Sequence, residues 1–424
     1  MSRIALRAGA SRLFFFALAV AGALARPAAA VEPATEISAL SARIEALSDR
    51  SRLLFDLTGL PPVTAYPVAN PPRIIVDLPQ VLFRMEANAG LAPGDKLIKS
   101  YRYGIFAPGR SRVVIDLTGP AKILKADSEP TAGGPRLVIE LAPTSAAYFA
   151  VTAAEQARRQ PADPPPAQPL QAAKPPSDKP TDRPVVVIDP GHGGLDMGAT
   201  GKHGELEKDV VLEFARALRQ KIDEGGQARV LLTRDHDMFL PLAERVRIAR
   251  ENNASLFVSI HADTLAAAHV EGATVYTVSE RASDAEAARM AEKENLADQA
   301  AGLESKADAE QVGDILFELT RRETRSYSRQ FSHSLISFWK EVGALNKNPS
   351  RSAGFVVLKA FDVPSVLLEL GYLSSDKDLA RLTSQEWRER AAQKAAAAVD
   401  AFISGRSREA RAPADGPSGA ARPQ

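Results

Sequence analysis

The sequence predicts an all-β sandwich domain followed by an α/β domain whose mainly parallel sheet is flanked by helices. Three observations lead to this prediction: a repeat of strand-like segments in the first half, a proline-rich stretch near the middle, and alternating strand and helix patterns in the second half. Such alternation is typical of parallel sheets, whereas consecutive short strands are typical of sandwiches. A chain of 424 residues is long enough for two or three domains.

The composition restricts the possible functions. There are 53 Lys and Arg against 52 Asp and Glu, which gives a net charge of +1 and no basic excess of the kind that indicates nucleic-acid binding. The chain has no cysteine and six histidines. Disulfides, thiol nucleophiles and cysteine-ligated metals are therefore excluded, and any metal ion must be held by imidazole and carboxylate groups.

The first thirty residues have the pattern of a signal peptide. Three arginines precede the apolar run 13–25, and three alanines follow at 28–30. The run of thirteen residues is shorter than the roughly 20 that a membrane-spanning helix needs. No arginine pair precedes it, which favours the Sec route over the twin-arginine route. We expect the mature chain to begin near Val31, without a transmembrane segment and outside the cytoplasm.

Residues 31–150 contain an internal repeat. The segment Arg50–Gly59 recurs sixty residues later as Arg110–Gly119, and 72–78 is matched by 135–141. Each segment is a short β-branched run bounded by Gly or Pro, which is typical of a strand. Two such hairpin-like halves predict two similar sheets packed face to face. This region has no histidine, so we expect a structural, binding or targeting role rather than catalysis.

The repeat resembles the AMIN domain over about residues 36–142. The resemblance implies a sandwich that localises cell-wall hydrolases, with peptidoglycan as the expected ligand. The proline-rich stretch that follows predicts a semi-rigid linker over 151–183. At the other end of the chain, residues 405–424 have few large apolar residues and are expected to be disordered.

The region 184–404 alternates between the two element types. Helical periodicity begins near residue 207, recurs at 242–251 and returns at about 385–403. Residues 284–342 form a long, mostly polar helical insertion. Strands are predicted at 185–188, 230–232, 256–260, 273–278, 354–358 and 365–369.

Chemically useful side chains follow the predicted strands. His192 comes after the first strand and His261 after the third, while Glu369 ends the last strand. Glu207 starts the first helix, next to the same sheet edge, where α/β proteins place their sites. Two histidines and a carboxylate with one open position are typical of catalytic zinc, and Glu369 among apolar neighbours fits a general base. The spacing is not a local metal motif, and each residue alone could be structural.

Five motifs in order resemble the zinc-dependent N-acetylmuramoyl-L-alanine amidases of the Amidase_3 type over about 184–403. The resemblance implies Zn²⁺ bound by His192, Glu207 and His261, with Glu369 as the catalytic glutamate. It also implies hydrolysis of the amide between N-acetylmuramoyl and L-alanine in periplasmic peptidoglycan, during septal wall splitting. The motifs are Asp189–Gly194, Gly204–Asp209, Leu232–Asp235, Ser259–Asp263 and Pro364–Gly371.

The helical insertion has two interpretations. Its polar character fits a solvated helix, and Met290, Leu296 and Leu303 are too sparse to predict a well-anchored core helix. Division-associated amidases similar to this chain carry here a helix whose glutamate occupies the open zinc position. That resemblance points to Glu294, with Glu292 as second choice, and implies a periplasmic LytM-type activator.

Two alternatives to a wall amidase stay open at this point. One is a catalytically inactive peptidoglycan-binding protein, against which the complete set of four site residues argues. The other is a zinc carboxypeptidase acting on stem peptides, which would use the same metal chemistry on a different bond.

Overall fold

The structure is a computed structural model that describes residues 36–85, 95–159, 183–267, 269–303 and 315–411. The predicted signal peptide, residues 160–182 of the predicted linker and the last thirteen residues lie outside this range. The described residues belong to one contact-connected unit. Within it we distinguish a β module (36–159) and an α/β module (183–411).

The β module is a sandwich of a five-stranded and a four-stranded sheet, as predicted. The strand orders are β5-β1-β2-β9-β8 and β3-β4-β7-β6. Alternate residues of each strand point inward and form the apolar core between the sheets. The strands are β1 (Ile37–Ala46), β2 (Ser51–Leu57), β3 (Thr64–Val68), β4 (Arg73–Pro79), β5 (Val81–Phe83), β6 (Ile98–Ala107), β7 (Arg110–Leu117), β8 (Ala121–Thr131) and β9 (Gly134–Pro143).

The two repeats exchange strands between the sheets. In the first repeat β2 pairs with β9 of the second, and β4 pairs with β7, all antiparallel. The expectation of hairpin-like halves, one for each sheet, was therefore wrong. The exchange creates equivalent apolar pairs in the two sheets, Phe55 opposite Leu137 in one and Ile74 opposite Ile115 in the other. Each sheet thus needs both repeats.

A helix extends the β module into the region predicted as linker. Helix α1 (Ala146–Arg159) buries Phe149 and Ala153, which lie four residues apart on one face. Phe149 joins the sandwich core. This i, i+4 pair stabilises a helix where the prediction had an extended linker from residue 151.

The α/β module has a six-stranded, mostly parallel sheet of order β11-β10-β12-β15-β13-β14, which confirms the predicted fold class. The first four strands in this order run parallel, β13 is antiparallel to β15, and β14 is parallel to β13. The strands are β10 (Val185–Pro190), β11 (Arg229–Leu232), β12 (Leu256–His261), β13 (Ala273–Val278), β14 (Leu345–Ala353) and β15 (Ser365–Glu369).

Helices cover both faces of this sheet because its central strands are apolar on both sides. Val186 and Ile188 of β10 pack against α2, α6 and α8, whereas Val187 packs toward α3 and α4. The helices are α2 (Glu207–Gly225), α3 (Leu242–Glu251), α4 (Ala285–Glu294), α5 (Ala297–Ala300), α6 (Ile315–Trp339), α7 (Asp376–Leu382) and α8 (Gln385–Arg411).

Two elements differ from their predictions. The strand expected at 354–358 is a short 3₁₀ helix, Val356–Leu358, and the strand β14 lies just before it. The β14 sequence is mostly polar because it is an edge strand with several exposed side chains, so its pattern did not indicate a strand. Helix α8 continues to Arg411, beyond the predicted end at 403. None of the described helices is long and apolar enough to cross a membrane.

Candidate active site

The site lies where β10, β12 and β15 end, side by side in the parallel sheet. His192 lies in the loop after β10, and His261 and Glu369 are the last residues of their strands and are paired in register. Glu207 is the first residue of α2, whose N-terminus faces the same edge. All four side chains are buried. The structure therefore brings together the four residues that the sequence singled out.

The loop that carries His192 is held in an unusual conformation. His192 has a φ of 58°, which is uncommon for a residue with a side chain. Buried Arg245 donates hydrogen bonds to the His192 carbonyl oxygen at 2.8 Å and to the Pro190 carbonyl oxygen at 2.8 Å. The same guanidinium pairs with the Asp189 carboxylate at 2.9 Å. This network compensates the backbone strain of the loop.

The two imidazoles and Glu207 converge on one point. The Oε1 atom of Glu207 lies 3.1 Å from His192 Nε2 and 3.2 Å from His261 Nδ1. Its orientation is fixed because Oε1 accepts the Ala262 N–H at 2.9 Å and Oε2 accepts the Ala199 N–H at 2.8 Å. Burial raises the pKa of Glu207, but the two histidines outweigh burial and lower this pKa well below its usual value.

Asp196 sets the tautomer of His192. Its carboxylate lies 3.0 Å from His192 Nδ1, so Nδ1 carries the proton and Nε2 presents a lone pair to the site. That buried Nε2 atom has no hydrogen-bond partner among the described residues. A bound cation would satisfy this buried lone pair, because Nε2 could then act as its ligand.

Glu294 brings a fourth potential ligand atom to the site. Its Oε2 lies 3.2 Å from His261 Nδ1 and 3.6 Å from His192 Nε2, and its side chain is buried. Glu292, the second candidate of the sequence analysis, is exposed. Burial raises the pKa of Glu294 and outweighs the two histidines, which lower it, while the charges of Glu207 and Asp263 raise it by smaller amounts.

Helix α4 is anchored more firmly than its sparse large residues predicted. Ala287 and Ala291, four residues apart, are buried together with Met290 against the sheet. Asp284 caps the helix by accepting the N–H groups of residues 286 and 287. Small side chains let the helix approach closely, and this is the anchoring that a search for large apolar residues missed.

Four atoms in this arrangement fit a tetrahedral ion. Ligand atoms bound at about 2.0–2.2 Å in a tetrahedron lie about 3.3–3.6 Å apart. Here Glu207 and Glu294 lie 3.1, 3.2, 3.2 and 3.6 Å from the facing nitrogens of His192 and His261. The potential ligand atoms of His192, His261 and Glu294 also all lie within 4.8 Å of one another. The donor set can hold a metal ion.

Glu369 lies beside this group without belonging to it. Its Oε2 accepts the Asp263 N–H at 3.1 Å, and its buried Oε1 has no hydrogen-bond partner among the described residues. Burial raises the pKa of Glu369 well above its usual value, and the charges of Glu207, Asp263 and Glu294 raise it further. A carboxyl group with a raised pKa holds a proton more readily than an exposed glutamate, as proton transfer in catalysis requires.

Comparison with known proteins agrees with the site chemistry. Residues 186–401 match the N-acetylmuramoyl-L-alanine amidase family, and residues 42–141 match the AMIN domain. The chain belongs to the N-acetylmuramoyl-L-alanine amidase family. This confirms the resemblance found in the sequence and identifies the protein as an enzyme that acts on the peptidoglycan of the cell wall.

Three relatives illustrate how far the similarity to these amidases extends. AmiC of Escherichia coli O6:H1 is 32% identical over 80% of this chain and 83% of its own length. AmiC of Neisseria meningitidis serogroup B is 31% identical over 86% of this chain and 89% of its own. AmiA of Escherichia coli K12 is 38% identical over 54% of this chain and 80% of its own.

The sequence analysis missed the residues that position the site of this amidase. The sequence patterns assigned no role to Asp196, and Arg245 lies in a segment that they predicted only as the helix 242–251. A basic residue on the buried face of α3 was the available signal, because a buried arginine needs several acceptors. Arg245 finds them in the loop that carries His192.

Proposed function

We propose that this amidase hydrolyses the bond between N-acetylmuramoyl and L-alanine with Zn²⁺ held by His192, Glu207 and His261. The observation that supports this most directly is the convergence of three potential ligand atoms, His192 Nε2, Glu207 Oε1 and His261 Nδ1, of which His192 Nε2 has no hydrogen-bond partner among the described residues. Two imidazoles and one carboxylate with a further position form the usual ligand set of catalytic zinc. When bound, zinc polarises a carbonyl group and lowers the pKa of water to about 7.

Glu369 handles the protons in this proposal. Its Oε1, which has no hydrogen-bond partner among the described residues, accepts a proton from the attacking water. The Asp263 N–H holds the other oxygen, so the carboxylate keeps its orientation throughout. Once protonated, the same oxygen donates its proton to the amine of L-alanine as the amide bond breaks.

Glu369→Gln tests this role because the amide keeps the shape and removes the base. We expect zinc content to stay the same and muropeptide release to fall about 10²–10⁴-fold. Mass spectrometry of the wild-type products should show intact stem peptides, whereas a carboxypeptidase would release single amino acids. Wild-type release by the Gln variant with metal bound would contradict the assignment.

We further propose that the enzyme works in the periplasm in septal wall splitting, after Sec export and removal of residues 1–30. The β module would bring the catalytic residues to peptidoglycan. The composition of the leader and the AMIN match support this placement. Sequencing the N-terminus of the chain from the periplasmic fraction should give a start near Val31, and a full-length cytoplasmic chain would contradict it.

We also propose that Glu294 blocks the fourth position of the zinc site. The side chain fills the space next to His192 and His261, and the remaining cavity has a volume of about 10 Å³. That space is barely enough for one water molecule and excludes a peptide. An activator, expected to be a periplasmic LytM-type protein, would have to withdraw α4 to open the site.

Glu294→Gln in the mature chain tests the block. The amide is a poor zinc ligand, so we expect muropeptide release without activator to rise. Glu292→Gln is the matched control because that side chain is exposed. It lies two residues before Glu294, which places it on a different side of the helix. Equal release by the wild type and the Glu294 variant would overturn the proposed block.

A further inference from the structure

One face of the four-stranded sheet in the β module packs away from the sandwich core. In β4, Ile74 and Val76 face the core, while Ile75 between them points to the opposite side. In β7, Val114 does the same. The residues on this outer face form a second apolar cluster with residues of the α/β module, namely Tyr66, Val68, Ile75, Phe106, Val114, Leu195, Phe239 and Ala301.

This face holds residues 297–303, which directly follow the helix that carries Glu294. Ala301 is fully buried in the cluster. Gly302 has a φ of 77°, and a Cβ atom there would lie 2.3 Å from Cδ1 of Ile75. Only glycine combines this conformation with this close approach. The fit between the segment and the sheet therefore depends on the glycine at position 302 and on the side chain of Ile75.

Three arginines of the β module bind three consecutive carbonyl groups of the segment. Arg73 donates to the Gln299 oxygen, Arg102 to the Ala300 oxygen at 2.6 Å, and Arg112 to the Ala301 oxygen at 3.1 Å. These carbonyls lie at and just after the end of helix α5, where backbone donors become scarce; Gln299 O also accepts the Gly302 N–H at 2.9 Å. Arginine side chains satisfy such groups well.

Aspartates of the same sheet orient two of these arginines. Arg102 pairs with Asp116 at 2.7 Å, and Arg112 pairs with Asp77 at 2.6 Å. Each guanidinium is thus fixed before it meets the segment, which reduces the entropy lost on contact. The three donors come from three adjacent strands, β4, β7 and β6.

The connection between this contact and the zinc site is short. Only four residues separate Glu294 from Gln299. Leu242 at the start of α3 donates its N–H to Asp298 at 3.0 Å, so the segment is held from both modules. Helix α4 cannot retreat far from the histidines while residues 299–302 stay bound to the β module.

We propose that the outer face of the four-stranded sheet is a docking surface for residues 297–303 of this chain, which makes the β module part of the block. This proposal rests on the proposed role of Glu294. The open enzyme is then the state in which residues 297–303 have left this face. Anything that separates the β module from the segment favours that state, so undocking of the segment and activation are coupled.

The test uses two variants of the mature chain that weaken the contact from opposite sides. Arg73→Gln with Arg102→Gln removes two donors from the β module, and Gly302→Val places a side chain against Ile75. We expect muropeptide release without activator to rise at least about fivefold in both, which is the lower range for coupled sites. Arg136→Gln, which removes an arginine paired with Asp56 on the other sheet, should leave release unchanged.

Hydrogen exchange measures the docking itself. Amides of residues 296–303 should lose protection at least about tenfold in both variants, while those of β2 and β9 keep theirs. Unchanged protection in the segment would overturn the docking surface. Lost protection with unchanged release, while Glu294→Gln raises release, would overturn only the coupling. If Glu294→Gln leaves muropeptide release unchanged, the proposed block by Glu294 is wrong. Hydrogen exchange of residues 296–303 then still shows whether the segment docks on the sheet.

Gly302→Val keeps the proposal testable if the arginine variant misfolds. Its change lies in the segment, so the β module keeps its own sequence and its own core. Increased release by this variant alone, with protected β-module strands, supports the proposal. Unchanged release with lost segment protection contradicts it.

Discussion

Asp189→Asn should destabilise the α/β module because it leaves a buried guanidinium without its counter-charge. Asp189 is fully buried at the end of β10, where it pairs with Arg245 at 2.9 Å. It also accepts the hydroxyl protons of Thr233 at 2.6 Å and Ser259 at 2.8 Å. Asparagine has the same shape, so the substitution removes the charge while nearly preserving the packing.

The magnitude follows from the burial of both partners. Removing one partner of a buried ion pair costs about 3–5 kcal/mol, because the other charge stays buried without compensation. Arg245 keeps carbonyl acceptors at Pro190, His192 and Leu240, which soften the loss. We therefore expect the free energy of unfolding to fall by about 3 kcal/mol, the lower end of that range.

The pH dependence of this loss has a definite sign. Burial raises the pKa of Asp189, but Arg245 together with the hydroxyls of Thr233 and Ser259 outweighs burial and lowers this pKa. A carboxylate with a lowered folded pKa stabilises the protein above its unfolded pKa of about 4, and this stabilisation is lost as the pH falls further. The difference between wild type and variant should be constant near neutral pH and should narrow below about pH 4.

Urea unfolding followed by tryptophan fluorescence measures this difference in the correct module. The chain has two tryptophans, Trp339 and Trp387, and both are buried in the α/β module. Asp362→Asn is the matched control because its pair with Arg250 is exposed and contributes at most about 1 kcal/mol. A loss for Asp189→Asn no larger than the control, or a difference that widens in acid, would refute the reasoning.

Two further predictions concern the proposed zinc ligands. Asp196→Asn removes the carboxylate that lies 3.0 Å from His192 Nδ1. Zinc affinity, measured by chelator competition, should therefore fall about 10–100-fold. An unchanged affinity would contradict the positioning role of Asp196. Gly198→Ala would place a Cβ atom 2.7 Å from both His192 Cδ2 and Glu207 Oε2, so this variant should also weaken zinc binding. Gly109→Ala is the control, because Gly109 has a similar φ and open space around it. It should only lower the free energy of unfolding, by about 1–2 kcal/mol.

The position of the site could be predicted because it follows from a rule of parallel sheets. Residues after neighbouring parallel strands meet at one edge, and His192, His261 and Glu369 stand at such positions. Glu207 could be added to this group because α2, which begins with Glu207, starts beside the same edge of the sheet. Asp196 and Arg245 escaped this rule, because their roles depend on hydrogen bonds that have no periodic pattern.

Strand pairing in the β module could not be predicted for a different reason. The repeats have nearly equal apolar patterns, so β2 fits β4 and β9 equally well by hydrophobicity. What the sequence did contain was the continuous apolar run in β4 and β7. Strands without alternation are buried on both faces, and Ile75 and Val114 are the residues that reach the α/β module.

The most direct test of the account is the zinc content of three purified mature chains: wild type, His261→Ala and Glu294→Gln. We predict one zinc ion per chain for the wild type, its loss in the His261 variant and full retention in the Glu294 variant. Retention is expected because His192, Glu207 and His261 suffice as ligands and Glu294 only occupies the remaining position. Zinc retained without His261, or lost with Glu294→Gln, would contradict this assignment.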